Sequence, residues 1–193
     1  LSPDITCKVT PDFKEENTNI IFIDLSYNNY NLGGSVFSQT LDNLGCDTPK
    51  FRKLDNFVKI FNYIQKLLVD RKILSGHDRS DGGLITTLIE MCLSSFVGCN
   101  INIKSDIDYI SYLFNEELGL IIEVEDKYAS EILDNMNTYC PTSIIGKTTK
   151  NRDVKITYNN NVIIDNTVVN FWKEWEKTSY NLEKEQCAIE CVE

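Results

Sequence analysis

The stretch from Ile20 to Leu25 is apolar and β-branched apart from Asp24, and it reads as a strand that has to be buried. A buried strand needs helices or further strands packed on it, and the pattern that follows supplies both. An Asn/Tyr-rich turn from Ser26 to Asn31 leads to Leu32-Gly33-Gly34-Ser35 and a helical stretch to about Leu44, closed by Gly45. Leu54 to Arg71 sets Phe57, Val58, Phe61, Ile64, Leu67 and Leu68 at helical spacing, the pattern of an amphipathic helix. Ile73 to Gly76 reads as a short strand running into a loop from His77 to Asp81. Gly82-Gly83 then opens a helix to roughly Ser95, with Leu84, Leu88, Ile89 and Cys92 on one face.

Beyond it, Cys99 to Ile103 and Leu118 to Val124 read as strands, Ile107 to Phe114 as a short helix and Lys127 to Tyr139 as a longer one. Ile144-Ile145, Val154 to Tyr158 and Val162 to Ile164 suggest short strands, the last two joined as a hairpin by an Asn-rich turn. Thr167 to about Gln186 forms a final helix carrying Phe171, Trp172 and Trp175. No repeat and no Gly/Ser/Pro linker divides the chain. The expected architecture is therefore α+β (α/β layered), a mixed β-sheet with packed helices in one domain over 1–193, of which 167–193 is a C-terminal helix and tail.

Composition narrows the functional classes. The chain has 193 residues and a formal charge of −10, from 19 basic and 29 acidic groups. A surface that acidic repels phosphate backbones and anionic lipid, which argues against nucleic acid or a membrane surface as a partner. Nothing approaches 18 uninterrupted apolar residues, and residues 1–4 lack the basic-then-apolar order of a signal peptide. Seven cysteines at irregular spacing form no CxxC pair and read as reduced thiols of a cytoplasmic protein, with Cys92 in the core. The single histidine, His77, makes a Cys/His zinc site or a Cys–His pair unexpected. A first residue of Leu1 suggests a piece of a longer chain.

The most informative stretch is His77-Asp78-Arg79-Ser80-Asp81-Gly82-Gly83. Lying between a short strand and a helix, it can converge backbone N–H groups at a helix N-terminus, where anions are stabilised. Two glycines permit close approach of a phosphate, and Ser80 offers a hydroxyl. Asp78 and Asp81 carry the hard oxygens that magnesium prefers. The plainer reading is an Asp/Ser N-cap before a glycine-softened helix start, with His77 satisfied by a neighbouring carbonyl.

Gly76-His77-Asp78-Arg79-Ser80-Asp81-Gly82-Gly83-Leu84 resembles the signature of the C-terminal domains of the aminoimidazole-ribonucleotide-synthetase superfamily. More narrowly, the chain resembles the second such domain of the large, single-chain phosphoribosylformylglycinamidine synthases. The stretches that carry this are Pro3-Asp4-Ile5-Thr6 with Val9-Thr10-Pro11-Asp12, Leu32-Gly33-Gly34-Ser35, Phe114-Asn115-Glu116-Glu117-Leu118-Gly119, and Trp172-Lys173-Glu174-Trp175-Glu176-Lys177-Thr178-Ser179. The resemblance implies a domain of a ligase that converts formylglycinamide ribonucleotide, ATP and glutamine to the amidine. Such an enzyme has two synthetase-like halves followed by a glutaminase domain, and these would be the partners of this chain. It also implies an auxiliary site for ATP or ADP with Mg2+, where Asp78 would be a magnesium ligand and Ser80, Gly82 and Gly83 would face the nucleotide. No catalytic residue is expected here, and the isolated 193 residues should be inactive.

One departure from the family pattern stands out. The catalytic copy carries a polar ESQE-like run that grips substrate, whereas this chain has Glu116-Glu117-Leu118-Gly119, and Leu118 has no hydrogen-bonding side chain. Without the resemblance, Glu116 and Glu117 read as a solvated loop, Gly33-Gly34-Ser35 as a phosphate cradle at a helix start or, more simply, a tight strand-to-helix turn, and Trp172 and Trp175 as core or domain interface. Two alternatives remain open on the sequence: a non-catalytic interaction module, or a C-terminal domain of another superfamily ATP enzyme such as selenophosphate synthetase. For the latter, no lysine- or cysteine-bearing active segment is visible.

Overall fold

Asn19–Asp24 forms strand β1, and all six of its residues are buried. In the computed structural model, which describes residues 4–191, α1 (Val36–Thr40), α2 (Leu54–Val69), β2 (Ser75–Asp78), α3 (Gly83–Ser95), β3 (Gly98–Ile103) and α4 (Tyr109–Phe114) follow it. The order continues with β4 (Gly119–Val124), α5 (Asp126–Met136), β5 (Thr142–Thr149), β6 (Asp153–Tyr158), β7 (Asn161–Thr167), α6 (Val168–Gln186) and a short 3-10 turn at Ile189–Cys191. The strands make one seven-stranded sheet in the order β2-β4-β1-β5-β3-β6-β7. Every pairing is antiparallel except β3 with β6. Pro3, part of one of the motif stretches, lies outside the described residues.

Alternation along β1 builds two cores, because successive strand side chains point to opposite faces. Ile20 and Phe22 join Leu84, Leu88 and Met91 of α3 and Leu113 of α4 on one face. Ile21 and Ile23 join Ile60 and Leu67 of α2 and Ile132 and Met136 of α5 on the other. A mixed sheet with packed helices is the architecture expected, and the helices lie on both of its faces. Asn100, Asn102 and Lys147, on the β5-β3 part of the sheet, are exposed, and Lys147 reaches Asp126 at the start of α5 (2.9 Å).

Several boundaries differ from the sequence reading, each for a physical reason. The strand before the glycine loop is Ser75–Asp78, not 73–76, because Ser75 to Asp78 pair with Glu123 to Leu120 of β4. His77 and Asp78 are thus strand residues. α1 stops at Thr40, and Asp42 just beyond it takes a left-handed conformation (φ 52°) that ends the helix. The apolar arc of α2 is wider than the strip the sheet covers, so Val58 and Phe61 remain about half exposed (48% and 51%). Trp172 and Trp175 are not core either, with 43% and 57% of their surface exposed.

A buried carboxylate fastens the N-terminal segment to the edge of the sheet. Glu123 of β4 is fully buried and accepts from Lys14 N (2.8 Å), Glu15 N (3.0 Å), Thr18 Oγ1 (2.7 Å) and Ser75 Oγ (2.7 Å). Four donors satisfy the charge that burial would otherwise make costly. They also fix β2, the edge strand that carries the glycine loop.

Candidate functional site

Strand β2 delivers the loop, and Arg79 locks it. Arg79 N donates to Gly119 O (2.8 Å), the bond that ends the β2–β4 pairing. Its guanidinium turns inward and is sealed from solvent. There Nε donates to Glu117 O, and Nη2 donates to Leu118 O (2.8 Å) and Asp24 Oδ1 (3.2 Å), with the group 5.1 Å from the Phe22 ring centre. Burial pulls the Arg79 pKa down and the Asp24 carboxylate works against that shift. With Arg79 turned inward, Asp78 and Asp81 on either side of the turn point outward.

The start of α3 is packed against the end of α4 at Gly83. A Cβ there would lie 2.6 Å from Leu113 O and 2.7 Å from Phe114 C, at a φ of +77° that side chains other than hydrogen rarely adopt. Gly82 N donates to Glu116 Oε1 (2.8 Å), and Gly83 N donates to Ser80 O (3.0 Å). Glu116 Oε1 also accepts from Val36 N at 2.8 Å, so one carboxylate oxygen joins the first turns of α1 and α3. Phe37 of α1 packs against Phe114, with 4.7 Å between ring centres and the rings tilted by 35°, and reinforces that join. The Gly33 and Gly34 N–H groups are likewise used by their own chain, on Asp47 O (2.9 Å) and Leu44 O (2.7 Å). Ser35 N donates to Leu32 O (3.1 Å), which closes the tight turn, and the two glycine N–H groups are not free to cradle a phosphate.

The structure overturns the solvated-loop reading of Glu116 and Glu117. Glu117 is fully buried; its Oε2 accepts from Arg52 Nη1 (2.7 Å) and Lys50 N (3.1 Å). Just before it, Asn115 caps α4, with Nδ2 donating to Ser111 O (2.6 Å) and Tyr112 O (3.0 Å). The stretch from Asn115 to Gly119 is therefore a junction that gathers α1, α3, α4, β1 and the segment before α2. Only Leu118 within it is exposed. No pattern in the residue types reveals such burial, and Arg79 was equally unmarked; the motif resemblance was the only signal at these positions.

Asp78 presents an outward carboxylate, with 75% of its side chain exposed. His77 Nδ1 lies 2.7 Å from Asp78 O and 3.2 Å from Asp78 Oδ1, and His77 Nε2 lies 3.7 Å from Glu90 Oε2. Burial raises the Glu90 pKa; His77 lowers it, and the charges of Asp78 and Asp81 push it up again. Three carboxylates thus share one acidic surface around His77. Ser80 is half-buried at the turn, and its N–H reaches Thr87 Oγ1 at 3.4 Å. Among the described residues no group of three or more His, Cys, Asp or Glu side chains is placed to hold a metal ion. Magnesium takes about six oxygen ligands, so the donors here fit part of its shell, with Asp78 the best exposed of them.

Comparison with known proteins adds the following. Residues 28–159 match the family described as AIR synthase related protein, C-terminal domain. Human phosphoribosylformylglycinamidine synthase is 34% identical over 98% of this chain and 15% of its own length. The Dictyostelium discoideum phosphoribosylformylglycinamidine synthase is 37% identical over 93% of this chain and 15% of its own length. The chain spans about 15% of the length of these curated relatives. Among solved structures, Thermotoga maritima PurL complexed with FGAR superposes with a TM-score of 0.70 at 12% identity, over 87% of this chain and 30% of that one. The same protein complexed with ATP gives 0.65 at 12% identity, over 87% and 28%. The hydrogenase maturation protein HypE gives 0.55 at 17% identity, over 81% and 55%. These structural likenesses speak for the fold.

Proposed function

The chain belongs to the family of AIR-synthase-related C-terminal domains, and we propose that it works as one such domain of a phosphoribosylformylglycinamidine synthase. The observation that carries this reading is identity of 31–37% to enzymes of that name over 93–99% of the chain. The parent would be a cytoplasmic, ATP- and glutamine-dependent ligase of purine biosynthesis, in which a synthetase-like half and a glutaminase domain accompany this one. ATP activates the formyl-amide oxygen by phosphorylation and ammonia displaces it, chemistry that rests on positioning and charge neutralisation. The catalytic groups belong to the other domains.

In this reading the present chain provides one wall of an auxiliary Mg-nucleotide site. Nucleotide binding is supported by the Thermotoga PurL complexes with ATP, ADP and AMPPCP. A bound magnesium ion would neutralise phosphate charge. Asp78 offers that ion an exposed anionic oxygen, and the inward lock of Arg79 holds Asp78 and Ser80 in place. Ser80 would reach the nucleotide through its hydroxyl. Gly82 and Gly83 have their N–H groups engaged internally and their side-chain space filled by Thr86 and the end of α4, so they would serve by shaping the start of α3 on which Ser80 and Asp78 are presented.

That internal engagement also favours a second reading, a domain that only buttresses its neighbours. The first test is activity. The full-length gene product should form the amidine from glutamine and ATP, and the 193 residues alone should not. Turnover by the isolated chain, or none by a folded full-length protein, would contradict the proposal.

A further inference from the structure

Beyond the glycine loop lies a cleft of about 380 Å³ between α3 and α6, bordered by His77, Glu90, Trp172, Trp175 and Glu176. Two features set it apart. α6 runs for 19 residues with Val168 as its buried residue, and both tryptophans, about half exposed, lie on the side of it that borders the cleft. The cleft is also acidic: Glu90 and Glu176 line it, while Asp78 and Asp81 lie near enough to raise the Glu90 pKa. The cation–ring contacts among the described residues fall on phenylalanine and tyrosine rings, with Arg152 over Phe96 beside Trp172 (6.3 Å between rings); neither tryptophan has one. Indole faces attract cations more strongly than the other rings, and the pull grows where water is excluded. Exposed tryptophans beside carboxylates complement a guanidinium or ammonium group, and tryptophan and arginine are each enriched among the residues that dominate interfaces.

We propose that this cleft is the docking site for an arginine- or lysine-bearing segment of another domain of the parent chain, the cation lying on Trp175 between Glu90 and Glu176. The inference rests on the reading of this chain as one domain of a larger enzyme. It goes further by naming the face that meets the neighbour and the chemistry of the residue that enters.

The test uses the full-length protein with a photoreactive benzoylphenylalanine in place of Trp175, a half-exposed position that tolerates an aromatic of similar size. Irradiation and peptide mapping should give an adduct on the same polypeptide, outside residues 1–193 and next to an arginine or lysine. Glu90→Lys with Glu176→Lys should reduce its yield about tenfold. Adducts confined to residues 1–193, to a segment without a basic residue, to a second copy in an isotopically mixed sample, or no adduct at all, would overturn the proposal. Amidine formation by the same preparation separates the two claims. An active enzyme without the adduct refutes only the docking site, and an inactive one with the adduct refutes only the functional reading.

Discussion

Replacing Glu116 should unfasten two helix starts at once. Its Oε1 accepts Val36 N and Gly82 N, both at 2.8 Å. A hydrogen bond to a charged group contributes roughly 1.5–3 kcal/mol, and a neutral one about 0.5–1.5 kcal/mol. Glu116→Gln keeps an oxygen that can accept both bonds and loses only the charge, so its cost should be about 1–2 kcal/mol for the pair. Glu116→Ala removes both acceptors. Val36 is exposed, so water replaces its lost partner, whereas Gly82 is buried and its N–H is stranded. The expected cost is about 2–3 kcal/mol. Urea unfolding of the chain measures the total, and hydrogen exchange at the Gly82 amide isolates the local part. Each 1.4 kcal/mol is a factor of ten, so Gly82 exchange should quicken by about tenfold or more in Glu116→Ala. Fast exchange of Gly82 in the wild type, or the same rate in both proteins, would refute the assignment of Glu116 as the partner of this N–H.

Glu123→Ala should destabilise the chain by about 2–4 kcal/mol in the same unfolding assay, since it takes the acceptor from the buried Ser75 hydroxyl, from Thr18 and from the part-buried N–H groups of Lys14 and Glu15; a cost below about 1 kcal/mol would contradict that network. Gly83→Ala should cost at least about 2 kcal/mol through left-handed backbone strain and collision with the Leu113 carbonyl, and unchanged thermal stability would contradict the close approach of α3 to α4. Alkaline titration should weaken the fold. Burial, then the Asp24 charge, raise the Tyr30 phenol to about 12, above its unfolded value of about 10. Its contribution is therefore complete below about pH 10 and is lost as pH rises toward about 12, roughly 1–2 kcal/mol after allowing for its partial exposure. Tyr30→Phe should flatten part of that decline, and an unaltered slope would contradict the shift.

The elements that could be read from the sequence are those whose signal is local. Ile20 to Leu25, the helix opening at Gly82-Gly83 and the Asn-rich hairpin each combine a hydrophobic period with a turn signal; the first two agree within a residue or two, while the second hairpin strand runs three residues past Ile164 to Thr167. β5 shows in the sequence only as Ile144-Ile145, because Thr142 to Thr149 mixes small polar residues with a glycine and its strand character comes from lying between β1 and β3. Strand order depends on pairings between distant segments, for which no local pattern exists. The candidate site divides in the same way. Asp78, Ser80 and the glycines stand out by residue type, whereas Glu116, Glu117, Glu123 and Arg79 are charged residues that composition places in solvent. Partners more than 30 residues away bring them inside.

The most direct test of the proposed Mg-nucleotide role is Asp78→Asn in the full-length enzyme, with nucleotide content, thermal stability and kcat measured side by side. Asp78 is exposed, so the substitution should leave the isolated 193 residues within about 0.5 kcal/mol of wild type. In the proposed site it would remove the charge but not the oxygen that Asp78 offers to a magnesium ion. A ligand at about a hundredfold excess over Kd stabilises the folded state by roughly 2.7 kcal/mol. The account predicts that the variant enzyme is purified without nucleotide and melts earlier, with kcat reduced far less than binding. Retained nucleotide and unchanged melting, with kcat down a hundredfold or more, would contradict it and place this loop in the catalytic site.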